Sequence, residues 1–137
     1  MSANVDRARR VADLFNETIG HGNTEVSAEG RSLWAKEPLI VPLRAALEST
    51  VYSGPTALED FAADTVESWS RLQFEEEKAV DVDENRVMLV GRLSGTGHGT
   101  GAETEMDVAL LLEFEDGRLA VFRTFLSEDE AMRAVSR

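Results

Sequence analysis

Between Glu105 and Leu126 the chain reads EMDVALLLEFEDGRLAVFRTFL, two apolar arms on either side of Glu115-Asp116-Gly117-Arg118. Val, Leu and Phe favour strands, and Asp-Gly is a strong hairpin-turn signal, so the stretch predicts a long β-hairpin. The first arm is apolar on both faces: Val108, Leu110, Leu112 and Phe114 fall on one, Ala109 and Leu111 on the other. A half-solvated antiparallel strand would alternate apolar and polar, so this one is expected to be covered on both sides. The chain's own helices supply one cover. A second copy of the chain is the expected other.

The remaining pattern fills in around that hairpin. Val5, Ala8, Ala12, Phe15 and Ile19 recur at three- and four-residue spacing, predicting an amphipathic helix over 5–19 with Asn4 as its N-cap and Gly20 and Gly22 as its stop. A short helix or turn is expected over 24–36, leading to Trp34. From Pro38 to Thr50 the signals conflict, because Pro38 and Pro42 break structure while Leu43 to Glu48 suit a helical turn; no element is assigned there. Ser53-Gly54-Pro55 opens a further helix with Leu58, Phe61, Thr65 and Trp69 along one face. The period then becomes strand-like, predicting strands over 72–82 and 86–95 around Asp83-Glu84-Asn85. A glycine-rich connection from Gly95 to Gly101 leads into the hairpin, and Ser127 facing Glu130 forms a capping box for a short C-terminal helix. Helices first and an antiparallel meander second make an α+β fold, organised as one domain over 1–137.

Charge narrows the partners. With 26 acidic and 14 basic residues the net charge is −12, which disfavours nucleic acid and anionic membrane surfaces, since phosphate binding needs clustered Lys and Arg. The chain has no cysteine and two histidines, excluding disulfides, thiolate sites and a multi-histidine metal centre; no metal and no cofactor are expected. No apolar run approaches the roughly 20 residues of a membrane helix, and the N-terminus lacks a signal-peptide core. A cytoplasmic location is expected.

Individual motifs exclude further chemistry. The Gly95–Gly101 stretch joins two strands and carries no Lys, so it is no phosphate loop. Asp81-Val82-Asp83-Glu84-Asn85 begins like a calcium loop, but Arg86 stands where Gly is needed and Arg92 where a bidentate Glu is needed. Neither Ser nor His lies in a nucleophile-elbow context, and His98 sits in the loop. Trp34, Tyr52 and Phe61 are expected where the helices cross the sheet, as core or as pocket wall. Glu37, between Trp34 and Pro38, is either a surface carboxylate or an inward-facing one.

Taken together, these residues resemble the SnoaL-like, ketosteroid-isomerase-like branch of the nuclear transport factor 2-like superfamily. The resemblance rests on the amphipathic first helix, Trp34 with Glu37-Pro38, Tyr52-Ser53-Gly54 opening a helix that ends near Trp69, Gly91-Arg92, the Phe114-Glu115-Asp116-Gly117-Arg118-Leu119 hairpin and Glu130-Ala131-Met132. It spans nearly the whole chain. It implies a curved sheet wrapped around helices into a cone, an apolar pocket inside, and sheet-to-sheet homodimers. Glu37 before Pro38 is similar to the general-base carboxylate of ketosteroid isomerases. The family's hydrogen-bonding Tyr falls on Phe15 and its protonated carboxylic acid on Leu110. Both oxyanion donors are therefore missing, which argues against steroid isomerisation of that kind.

In a cone the hairpin register points Leu89, Leu93, Val108, Leu110, Leu112, Phe114, Ala120, Phe122, Thr124 and Leu126 inward. It points Arg92, Asp107, Ala109, Leu111, Glu113, Val121, Arg123 and Phe125 outward, towards a partner copy. The expected function is binding of a small hydrophobic or polycyclic molecule by Trp34, Tyr52, Phe61, Leu110, Leu112, Phe114, Phe122 and Thr124. Isomerase, cyclase or dehydratase chemistry by Glu37 would accompany it. A non-enzymatic carrier and a purely structural dimer module are the alternatives. A cavity above roughly 300 Å³ reaching Glu37 separates the first two from the third.

Overall fold

The structure is a computed structural model that describes residues 3–42 and 51–135. Helix α1 (Ala3–Glu17) runs into a 3₁₀ turn (Ile19–His21), then α2 (Ala28–Leu33) and strand β1 (Trp34–Val41). Helix α3 (Ala57–Ser68) follows, then β2 (Trp69–Asp81), β3 (Arg86–Gly97), β4 (Glu103–Glu115), β5 (Arg118–Phe125) and helix α4 (Glu128–Val135). The five strands form one sheet in the order β1-β5-β4-β3-β2. The α+β class and the meander are as the pattern predicts. Residues 43–50, within the stretch left unassigned, lie outside the described residues.

The β4–β5 turn is held by Asp116 at φ 51° and Gly117 at φ 78°. Two successive positive φ values give the type I′ turn whose twist matches a hairpin, which explains Asp-Gly at this position. One residue further on the register slips. Phe114 pairs with Leu119 but Glu113 pairs with Val121, leaving Ala120 as a bulge. Leu119, not Ala120, therefore turns into the core with Val108, Leu112 and Phe114. This corrects the inward set at its first position on β5. Leu126 is corrected too: it lies past the strand end and is 50% exposed.

The start of the unassigned stretch, from Pro38 to Val41, belongs to an edge strand. β1 runs parallel to β5, with a register irregularity between Trp34 and Leu39 that contains Pro38. A missing N–H is tolerated at an edge or bulge. Helix α1 starts at Ala3, so Asn4 lies inside it and does not cap it. Its amide instead donates to the Glu84 carbonyl at 2.9 Å, across to the β2–β3 turn.

Two inner clusters fill the concave side. Val5, Ala8 and Val11 of α1 pack on Phe74, Leu89, Leu110, Leu112 and Leu119, while Leu58 and Phe61 of α3 pack on Ile40. Asn16 fixes α1 on β2 by a reciprocal pair, its Nδ2 donating to the Phe74 carbonyl and its Oδ1 accepting from the Phe74 N–H, both at 2.8 Å.

The outer face was expected to wait for a partner copy. In the structure α4 folds back across it, and Ala131 packs on Met88 and Ala109, with Val90 and Phe125 alongside. Lys78 of β2 binds Glu128 of α4 at 2.9 Å. Leu111, the expected centre of a dimer interface, has no exposed surface in the single chain.

Helix α4 is capped as expected: the Glu130 N–H donates to Ser127 Oγ at 3.2 Å. The Glu130 carboxylate accepts from the Leu126 N–H at 3.3 Å, so the reciprocal half of the capping box reaches one residue further back. Replacing Ser127 by Ala is expected to cost about 1 kcal/mol, and Asp to be nearly neutral. Urea denaturation of both variants checks this; equal losses would mean that Ser127 is not the cap.

Candidate functional site: an apolar cavity under the helices

Between α1, α3 and the concave face of the sheet lies a cavity of about 340 Å³. Its walls come from separated parts of the chain. α1 contributes Val11 and Phe15, α3 contributes Phe61, and the strands contribute Trp34, Leu72, Phe74, Leu110 and Phe122. β2 reaches the site because Leu72 and Phe74 share the same strand face.

Phe15, Phe61, Phe122 and Trp34 form a continuous aromatic wall. Successive ring centroids lie 6.4, 6.5 and 6.0 Å apart, within the range of favourable ring contacts. Thr65 donates its hydroxyl to the Phe61 carbonyl at 2.7 Å, which keeps that donor satisfied next to the apolar space.

The cavity opens past the segment joining the 3₁₀ turn to α2, where the lining residues Thr24, Glu25 and Ser27 are exposed. Ser27 caps α2 by accepting from the Gly30 N–H at 3.0 Å. Arg10 of α1 clamps that helix through Glu29, at 2.6 and 2.7 Å. The Arg10 hydrogen bond holds the Glu29 carboxyl below the usual carboxylate range.

Of the residues expected to bind a ligand, Trp34, Phe61, Leu110, Leu112, Phe122 and Thr124 all line the cavity. Phe114 is buried in the α1-facing cluster and is absent from the wall. Tyr52 stands one layer back, packed edge-on against Phe61 with centroids 5.8 Å apart. Its backbone pairs with Ile40 at 2.8 and 2.9 Å, and its hydroxyl donates to Asp64 Oδ2 at 2.5 Å.

Glu37 stands apart from this group. It is exposed on the edge strand β1 and takes no part in the cavity lining. Pro38, next to it, is the buried residue, and strand alternation sends the two side chains to opposite faces. An inward-facing Glu37 is thus not what the structure shows.

Sequence reasoning missed Phe15 as a wall residue, although its place on the apolar stripe of α1 was visible. It also missed Glu25, which lies in a stretch without periodicity. Among the described residues no cluster of His, Asp or Glu could hold a metal ion, and no helix is long and apolar enough to cross a membrane.

An apolar cavity roofed by helices and floored by a curved, mostly antiparallel sheet defines the cone-shaped α+β class. Within it the chain belongs to the SnoaL-like domain family, whose model matches residues 33–122.

Solved structures agree on the fold. A nuclear transport factor 2-like protein of unknown function from Burkholderia pseudomallei superposes with a TM-score of 0.74 at 14% identity, covering 100% of both chains. A putative SnoaL-like polyketide cyclase from Jannaschia sp. gives 0.68 at 20% identity, covering 97% of this chain and 91% of that one. A hypothetical protein with a ketosteroid isomerase-like fold from Catenulispora acidiphila, in complex with trimethylamine, gives 0.68 at 14%, covering 86% and 85%. A search of the curated proteins found no match.

Proposed function

We propose that the protein binds a small hydrophobic molecule in the cavity between α1, α3 and the sheet. The observation that carries this reading is the cavity itself: about 340 Å³, within the roughly 300–1,000 Å³ of small-molecule sites, with a wall of aromatic and aliphatic side chains. A purely structural module would have filled that space with side chains, because protein interiors pack with few voids larger than a water molecule. Proteins of this family include ligand-binding cyclases and isomerases, which makes the interior of the cone the natural binding place. The cavity exceeds roughly 300 Å³ but does not reach Glu37, so size alone speaks for binding, and no acid–base chemistry is assigned to Glu37.

Both tryptophans of the chain, Trp34 and Trp69, line the cavity, so their fluorescence reports its occupancy. Titration with 1-adamantanol, a compact neutral apolar probe, is expected to shift the emission saturably and raise the melting temperature. Ala12 lines the cavity from α1, and Ala12→Phe places a ring in the space. That variant is expected to stay folded and bind roughly tenfold more weakly or worse. An unchanged affinity in Ala12→Phe, or no saturable signal in the wild type, would overturn the reading.

A further inference from the structure

The cavity is electrically one-sided. Among its described lining residues Glu25 is the one ionisable side chain, and none is Lys, Arg or His. Glu25 is exposed at the mouth, and its carboxylate makes no ion pair with a described residue. The nearby carboxylates Glu17, Glu29 and Glu59 are all paired with arginines. Val26, the next residue, packs in the cluster that contains Phe15, Phe61, Trp34 and Phe122. This carboxylate therefore stands at the edge of the aromatic wall.

We infer that the ligand is a hydrophobic amine, its apolar body in the cavity and its ammonium group between the aromatic wall and Glu25. This deepens the proposed function and rests on it. An anionic ligand would give up its hydration to a wall whose described residues include no cationic side chain to receive it. An ammonium meets ring faces, which attract cations through their quadrupole, and a carboxylate at the opening. The overall charge of −12 acts in the same direction at long range, concentrating cations and repelling anions before contact. A polar neutral molecule gains from none of these three terms.

Three probes with one apolar body isolate the charge: 1-aminoadamantane, 1-adamantanol and adamantane-1-carboxylate, titrated at pH 7 with the tryptophan signal. The amine is expected to bind roughly tenfold tighter than the alcohol, and the carboxylate roughly tenfold more weakly than the alcohol or not at all. Raising the salt concentration should narrow the gap. Glu25→Gln, at an exposed position, should cost the amine clearly more affinity than it costs the alcohol, shrinking the gap between them. A carboxylate that binds as tightly as the amine would sink the inference while the binding cavity stands. So would an amine whose affinity survives Glu25→Gln. Absence of binding by all three probes would remove the cavity's function as well.

Discussion

Replacing Leu111 by Glu is expected to unfold the protein rather than divide a dimer. Leu111 has no exposed surface. Its ladder neighbours are Met88 on β3 and Arg123 on β5, and Met88 is itself fully buried. A glutamate here loses its hydration, and Arg123 is already engaged by Glu113 at 2.8 Å. Losing the leucine packing and burying a poorly compensated charge together should cost more than about 4 kcal/mol, a large share of a typical domain's stability. Circular dichroism should show lost structure at 25 °C, with Leu111→Met close to wild type. A folded Leu111→Glu monomer beside a wild-type dimer in light scattering would instead place Leu111 at an interface.

The second large effect lies at Gly91. A methyl group there would sit 2.1 Å from the Glu75 carbonyl oxygen and 2.9 Å from the Phe74 ring. The first contact is with backbone and cannot be relieved by a rotamer. Gly91 faces Glu76 where β2 bulges between Glu76 and Lys78, and such bulges bend a sheet. Gly91→Ala should therefore push β2 away from β3 and cost about 3 kcal/mol or more. Because Phe74 also lines the cavity, probe binding should weaken along with stability. A variant with wild-type midpoints in urea would show that the two strands are not so closely set.

How much of this was legible follows from which signals are local. The hairpin and its turn were readable because Asp116-Gly117 and the flanking apolar runs are adjacent in sequence. The helix at 57–68 was readable from the spacing of Leu58, Phe61 and Thr65. Ala120 was misplaced because a one-residue bulge shifts the face of the residue between it and the turn, and nothing in Leu119-Ala120-Val121 marks it. The outer cover was readable only in part. A fully apolar strand reports that both faces are covered but not by what, and the eight-residue helix α4 supplies much of that cover through Ala131. Most of the cavity wall could be named because alternation on β4 and β5 survives the bulge at Leu110, Leu112, Phe122 and Thr124. For Glu37 the sequence left a surface and an inward-facing carboxylate open, and the buried Pro38 beside it fixes the exposed face.

The proposed function requires that the cone hold a ligand. Its most direct test is a crystal structure of the protein soaked with 1-adamantanol. Density for the probe enclosed by Phe15, Phe61, Trp34, Leu110 and Phe122 is the expected result. A structure in which those side chains close together and leave no room for the probe would contradict it.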